Sequence, residues 1–256
     1  MRAPILFLVI TASSCSLPQL ELIPRFQQFD IDGEFAADSS GISGANDLAD
    51  LGIDDDPIEF APRLDFSAGP LDFTADYFSV DYSGTGDVEI PIEFNGQQFT
   101  LGAAVDSELS LELTRATVTW DLIPTDFIDV GLGFGGAFTR ARATFSEPGG
   151  LVPPATTEEE APFPYIAARA RVALAGLSVE LLAGYLQVEY DNIDASYLDL
   201  DLLARWAIIG GSEHLALSVL LGYRYVDLDL QYVDNGDNVQ IDAELQGPYA
   251  GLSLTL

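Results

Sequence analysis

Apolar and polar residues alternate one by one along most of the chain, which is the period of a β-strand whose two faces meet different environments. The sequence VDLDLQY at 226–232 alternates without a break, and VQIDAELQ at 239–246 resumes the pattern after an Asp-Asn-Gly-Asp turn. The same pattern occurs in IEFAPRLDF at 58–66, YIAARARVAL at 165–174 and YLDLDLLARWAI at 197–208. The sequence therefore predicts a series of antiparallel strands joined by hairpins.

Turn residues divide the chain into about ten such strands, and the same pattern is compatible with eight to twelve. The predicted strands cover 24–36, 57–67, 71–94, 97–121, 127–146, 164–174, 177–190, 196–208, 214–233 and 238–256. Phase slips near Thr114-Arg115 and Thr139-Arg140 predict β-bulges. Short connections alternate with longer or more acidic ones, such as 37–56 and 147–164. An even strand number with alternating loop lengths is typical of outer-membrane barrels.

The predicted fold class is all-β, a single antiparallel up-and-down transmembrane β-barrel. The alternative is a soluble β-sandwich, in which the apolar faces would meet in a dry core. In the barrel, the apolar faces meet lipid and the charged faces meet the lumen.

The first residues are typical of a secretory signal peptide, with Arg2 followed by an apolar run at 4–10 and then small residues. We predict a signal peptide over 1–14 and the barrel domain over 15–256. The sequence Ala-Ser-Ser-Cys also resembles a bacterial lipobox, in which Cys15 would be lipidated. The alternative is that Cys15 lies in or beside the removed peptide. It is the only cysteine, so a disulfide framework is excluded.

Charge excludes one class of partner. The chain has 41 acidic and 10 basic residues, giving a net charge of −31, and a surface so negative would repel nucleic-acid phosphates. The content of 11% aromatic residues and the long alternating runs argue against disorder. The predicted partner is the lipid of the outer membrane.

Arginines and carboxylates share the polar face of several predicted strands. A barrel of about ten strands has a lumen only modestly wider than its own side chains can fill, so opposite charges there should pair. We predict a salt-bridged lumen, with a narrow conducting pore as the alternative. The candidate residues are Arg63, Arg115, Arg169, Arg171, Arg205, Arg224, Glu59, Asp65, Glu112, Glu180, Asp199 and Asp201.

The sequence offers little catalytic or ligand-binding chemistry. The single histidine, His214, lies near Ser212 and Glu213, a pairing that lipid hydrolases use, but the sequence GGSEH at 210–214 has the composition of a turn. The acidic segments GIDDDP and DNGD do not match the twelve-residue calcium loop. We predict no catalytic residue, no cofactor and no metal site.

The ending QGPYAGLSLTL, the preceding LGYRYVDLDL and the sequence DLADLGIDDD at 47–56 resemble small bacterial outer-membrane barrels of the OmpW-like type. The resemblance covers about residues 45–256 and implies a location in the outer membrane of Gram-negative bacteria. The terminal strand also resembles the signal that the barrel-assembly machinery reads, with apolar Leu252, Leu254 and Leu256, although phenylalanine is usual at the last position. The predicted function is a non-enzymatic barrel with acidic outer loops and a structural or surface-binding role. The alternatives are a narrow pore for cations or small apolar solutes and, less favoured, a lipid-modifying enzyme.

Overall fold

The computed structural model of the 256-residue chain is all-β. It describes residues 18–38, 46–90, 92–94, 97–125, 127–148, 154–190, 193–212, 215–234 and 237–256. In these ranges no helix is long and apolar enough to cross a membrane. The strands are β1 (Gln19–Ile23), β2 (Arg25–Gln28), β3 (Asp30–Asp38), β4 (Asn46–Asp47), β5 (Ile58–Phe60), β6 (Arg63–Ala68), β7 (Leu71–Asp87), β8 (Ile92–Phe94), β9 (Gln97–Phe99), β10 (Ala104–Pro124), β11 (Ile128–Ser146), β12 (Ala155–Leu174), β13 (Leu177–Tyr190), β14 (Ile193–Ser212), β15 (Leu215–Asp234) and β16 (Asp237–Thr255).

Ten barrel strands can be traced through the described residues. β1, β2 and β3 form the first, β5 and β6 form the second, and the other eight are β7 and β10 to β16. The first barrel strand closes the sheet by pairing with the last, from Glu21 opposite Thr255 to Asp38 opposite Asn238. All neighbouring strands are antiparallel. The predicted ten-stranded antiparallel barrel is confirmed.

The two ends of the barrel differ in their connections. One end, called the short-turn end here, carries the brief links after β6, β10, β12 and β14, and the first and last barrel strands also reach it. The link between β12 and β13 is a two-residue turn in which Ala175 and Gly176 both have positive φ, as tight hairpins require. The opposite end, called the long-loop end, carries the long connections 39–57, 88–103 and 147–154 together with the two-residue connections 191–192 and 235–236.

The sixth barrel strand is longer than predicted. The segment 147–164 is predicted as a loop because it combines prolines with consecutive acidic residues, yet β12 begins at Ala155. Its Glu158 and Glu160 lie opposite Arg142 and Arg140 of β11 and form ion pairs with them on the outer wall. Cross-strand charge pairing on a solvated face therefore supports a strand there.

The two faces of the wall exchange character part-way along the barrel, and β7 shows this most simply. Near the short-turn end its inward side chains are polar and its outward ones are apolar. Towards the long-loop end this reverses. The inward residues run Asp72, Thr74, Asp76, Phe78, Val80 and Tyr82, and the outward ones run Phe73, Ala75, Tyr77, Ser79, Asp81 and Ser83.

This exchange explains two predictions that are wrong. The strand pairing runs without a shift through Thr114-Arg115 and through Thr139-Arg140, so neither site is a bulge. On β10, Leu113 and Arg115 both face inward and both are buried. The phase of the alternation changes because the environment changes, while the backbone register stays constant.

Large apolar side chains cover the outer wall of the short-turn half. The most exposed of them include Phe26, Phe73, Trp120, Leu132, Phe134, Ile166, Leu174, Leu202, Trp206, Leu221 and Leu252. So extensive an exposed apolar surface is unfavourable in water and typical of a membrane-facing or partner-facing wall. The long-loop half instead presents Asp81, Glu108, Glu158 and Asp229 outward.

The segment 46–57 closes the long-loop end over the lumen. Leu48 and Ile53 pack in the long-loop half of the lumen, in an apolar cluster with Phe78. Leu51 belongs to a second apolar cluster with Val88 and Phe99. The segment lies against β7 so closely that a Cβ atom on Gly86 would stand 2.0 Å from the Asp50 carbonyl oxygen. We call this segment the cover.

Candidate functional site in the barrel lumen

A neutral square of four charges forms the centre of the lumen. Arg115 contacts Asp76 at 2.8 Å and Asp199 at 2.7 Å, and Arg224 contacts the same two carboxylates at 2.9 and 2.8 Å. The planar guanidinium group suits this arrangement because its donors point to two partners at once. These residues come from β7, β10, β14 and β15, so the square spans the lumen.

Arg25 and Asp201 complete the central layer. Arg25 Nη1 lies 3.1 Å from Asp201 Oδ2, and Asp201 also lies 3.4 Å from Arg115. The side chains of all six residues are at most 1% exposed. Three arginines and three aspartates thus neutralise one another, which buried charges require.

A second layer lies closer to the short-turn end. Arg63 contacts Glu180, and it lies 2.8 Å from Asp65. Arg205 lies 3.1 Å from Asp65 and 2.9 Å from Glu21. Every member belongs to a barrel strand, so rigid elements hold the network in place.

The third layer is organised by Arg169. Its guanidinium contacts Asp72, and it lies 2.7 Å from Asp121 and 2.9 Å from Asp129. The three carboxylates offer oxygens within 4.8 Å of one another, the kind of group that could hold a hard cation. Arg169 already supplies a positive charge to all three, and Arg171 adds another at 2.7 Å from Asp129. Arginine therefore takes the place that a metal ion would need.

Two tyrosines tie aromatic rings to the central layer. Tyr249 donates a hydrogen bond to Asp201, and Tyr197 donates one of 2.8 Å to Asp199. Glycine makes room for the Tyr249 ring, because a Cβ atom on Gly222 would lie 2.1 Å from it. The guanidinium carbon of Arg25 also lies 4.5 Å from the centre of the Tyr249 ring, in a cation–π contact.

The structure brings most of the predicted candidates together, and two differ from expectation. Arg63, Arg115, Arg169, Arg171, Arg205, Arg224, Asp65, Glu180, Asp199 and Asp201 all take part in the three layers described above.

Glu112 and Glu59 are the two that differ. The prediction for Glu112 is wrong: it faces outward with 39% of its side chain exposed and pairs with Arg140 at 3.2 Å, because the faces have already exchanged at its level of β10. Glu59 lies on the inward side of β5, but it makes no ion pair within the described part of the chain.

Sequence reasoning missed part of the network. The residues not anticipated are Glu21, Arg25, Asp72, Asp76, Asp121 and Asp129. Asp72 and Asp76 alternate with Phe73 and Tyr77, so periodicity alone could have identified them. Arg25 follows Pro24 in a segment without clean alternation, which left its side unpredicted.

An apolar chamber of about 220 Å³ lies between these ion pairs and the cover. Phe78 and Tyr197 separate it from the charged layers, since Arg224 lies over the Phe78 ring at 5.3 Å and Tyr197 bonds to Asp199. Leu48 and Ile53 of the cover line its opposite side. The lumen is thus charged in one half and apolar in the other.

The predicted signal peptide, Cys15 and His214 lie outside the described residues. Their predicted roles remain predictions.

No protein-family model and no curated protein matches the sequence. Among solved structures, the chain is similar to Ail, the attachment invasion locus protein of Yersinia pestis, with 9% identity and a TM-score of 0.31. That alignment covers 91% of this chain and 98% of Ail, which was solved in complex with the heparin analogue sucrose octasulfate.

Two further similarities have the same character. The transport unit of the Escherichia coli autotransporter AIDA-I gives 9% identity and a TM-score of 0.36, covering 98% of this chain and 92% of that one. The Ralstonia pickettii toluene transporter TbuX gives 10% identity and a TM-score of 0.35, covering 95% and 90%. At these scores the similarity carries no argument about ligand or role, and the fold rests on the strand pairing described above.

Proposed function

We propose that this chain is a non-enzymatic outer-membrane β-barrel protein of Gram-negative bacteria, with a lumen closed by ion pairs and a structural or surface-binding role. The apolar outer wall of the short-turn half supports insertion in lipid, because outer-membrane barrels carry such an outward apolar band. The acidic long-loop half would project from the membrane, and the terminal strand β16 would be read by the barrel-assembly machinery.

The observation that carries the closed lumen is the central layer. Arg25, Asp76, Arg115, Asp199, Asp201 and Arg224 come from five barrel strands and contact one another across the lumen with almost no exposure to water. A conducting pore needs a continuous wet path, and these side chains occupy the place of that path. The geometry therefore favours a closed barrel over the alternative of a narrow cation pore.

Location is tested by fractionation and by mobility on a detergent gel. The protein is expected in the outer membrane and should migrate faster unheated than boiled, since a closed barrel resists detergent until it is heated. Recovery in the soluble periplasmic fraction would contradict the proposal.

Closure is tested by conductance in planar lipid bilayers, with a general porin as the positive control. The wild-type protein should give no stable conductance steps. The double variant Arg115→Ala/Asp199→Ala, which removes two opposed groups from the central layer, should raise conductance above that baseline. The matched variant Arg142→Ala/Glu158→Ala, which removes an ion pair on the outer wall, should not. Steady unitary conductance from the wild-type protein would overturn the closed lumen.

A further inference from the structure

The apolar chamber has the properties of a binding site for a small molecule. Its wall includes Phe78, Leu111, Leu113, Phe163, Tyr197 and Leu245. Protein interiors are normally close-packed, with few voids larger than a water molecule. A volume of about 220 Å³ is therefore exceptional in a lumen that is tightly filled by side chains only one layer below.

The chemistry of the wall defines the class of ligand. Most of the lining side chains are aliphatic or aromatic, and the Tyr197 hydroxyl already donates its hydrogen bond to Asp199. A charged or strongly polar molecule would lose its hydration there without compensation. An apolar cavity of roughly 150 Å³ is large enough to stay dry and bind benzene. This chamber is larger, so it can hold a neutral molecule with one or two aromatic rings.

The barrel wall has an unpaired stretch beside the chamber. Within the described chain, β12 and β13 pair from Leu174 opposite Leu177 as far as Ile166 opposite Tyr185, and the pairing ends there. Beyond this point, residues 155–165 of β12 pair only with β11, and residues 186–190 of β13 pair only with β14. The wall therefore has an unpaired gap between β12 and β13 on the long-loop side of Ile166, which we call the notch.

The sequence of β12 accounts for the notch. Pro162 and Pro164 have no backbone N–H, and proline in a sheet is found on edges that need no ladder bond. Their neighbour Phe163 points inward and lines the chamber. Its ring stacks on that of Tyr197 on β14, with 6.2 Å between ring centres and 6° between ring planes. The Phe163 ring thus lies on the lumen side of a segment whose backbone is not paired with β13.

The notch lies at the border of the apolar outer wall that is nearer the long-loop end. Ile166 is the last residue of β12 that pairs with β13, and it is 67% exposed. Phe134, which lies opposite Ile166 on β11, is 68% exposed. Both belong to the surface that would face lipid under the proposed function. A molecule dissolved in the outer leaflet would meet the notch directly.

We infer that the chamber binds one small neutral apolar molecule, with aromatic compounds of about one or two rings as the best fit, and that this molecule arrives from the lipid through the notch beside Phe163. The inference rests on the proposed membrane location and on the closed floor of ion pairs, which makes the chamber a terminal site and not a channel.

Binding is tested with naphthalene as the probe, by equilibrium dialysis of the full-length protein in lipid nanodiscs against empty nanodiscs. The wild-type protein should show saturable binding of one molecule per chain above partitioning into lipid. Ala141→Phe, which fills the chamber from β11, should lower affinity at least tenfold. Ala116→Phe, the same change on the outer face of β10, should leave binding unchanged. Ala243→Leu provides a second filling variant if Ala141→Phe does not fold. Uptake that matches empty nanodiscs, or that is equal in all variants, would overturn the site.

The route is tested by stopped-flow measurement of naphthalene fluorescence in the same nanodiscs. Phe163→Ala should raise both the association and the dissociation rate several-fold while the stoichiometry stays at one. Unchanged rates in Phe163→Ala would overturn the lateral route, and raised rates in Asn46→Ala, which loosens the cover, would then indicate entry from the long-loop end. Failure of the proposed function is seen separately, as conductance of the wild-type protein or as its recovery in the soluble fraction.

Discussion

Asp76 and Phe78 lie two residues apart on the same inward face of β7, yet they belong to different halves of the lumen. Asp76 accepts hydrogen bonds from Arg115 and Arg224. Phe78 instead lines the apolar chamber and packs against Phe29, with 4.6 Å between ring centres and a tilt of 36°. Arg224 contacts both residues, since its guanidinium also lies over the Phe78 ring. On β7 the charged half of the lumen therefore ends at Asp76 and the apolar half begins at Phe78.

The central layer should be essential for stability. Arg115→Ala leaves Asp76 and Asp199 with one fewer cation in a buried site, and removing one partner of a buried ion pair typically costs about 3–5 kcal/mol. The free energy of unfolding in urea, measured in lipid vesicles, should fall by that amount. Arg142→Ala removes a cation from the exposed outer wall and should cost less than about 1 kcal/mol. Equal losses in the two variants would argue against a structural role for the lumen cluster.

The apolar outer wall should tolerate charge only near the long-loop end. Ala168 is exposed between Ile166 and Ala170 on the apolar outer wall of β12. Arginine on the lipid face of a barrel costs about 2–4 kcal/mol at the bilayer midplane and falls towards zero near the interfaces. Ala168→Arg should therefore lower the temperature of the gel-mobility shift. Ser83→Arg, on the polar outer face of β7, should leave it nearly unchanged. The reverse order would place the membrane around the other half of the barrel.

The hydroxyl of Tyr249 should contribute to stability independently of its ring. Tyr249→Phe keeps the cation–π contact with Arg25 but removes a donor from buried Asp201. A buried acceptor left without its donor costs about 1–3 kcal/mol. Tyr223→Phe is the matched change at an exposed tyrosine, whose hydroxyl donates to Gln246 on the outer wall, and it should stay within about 0.5 kcal/mol. The free energies of unfolding of the two variants in urea show whether the buried hydroxyl group stabilises the protein more than the exposed one.

Asn46 should hold the cover in place. Its side chain is buried, accepts hydrogen bonds from the backbone N–H groups of Glu89 and Ile90, and donates one to the Ile90 carbonyl. Asn46→Ala removes all three bonds and should increase limited proteolysis within 46–57, while the gel-mobility shift of the barrel stays close to wild type.

Asp50→Ala alters only an exposed side chain of the same segment, so its cleavage rate should match the wild type. Cleavage of Asn46→Ala at the wild-type rate would show that the cover is held by its apolar contacts alone.

Local sequence determined much of this protein. Alternation with period 2 and the residues between the runs are enough to identify ten strands, because a strand and a hairpin depend on neighbouring residues. They also identify arginines such as Arg63 and Arg169 as inward-facing, since each stands between apolar neighbours that point outward. The first part of β12, from Ala155 to Phe163, was not predicted as a strand because its glutamates pair with arginines on another strand.

Only the tertiary structure decided which face of each strand is inside at each level. Alternation shows that two faces differ, but lipid outside a charged lumen and water outside an apolar lumen give the same pattern. In the last hairpin, formed by β15 and β16, the apolar face points into the lumen. Val226 and Leu245 are buried there, and the acidic residues face outward. Glu112 was misplaced for the same reason. Whether the apolar residues of a strand point inward or outward depends on their position along the barrel axis. That position is set by the pairing of all ten strands.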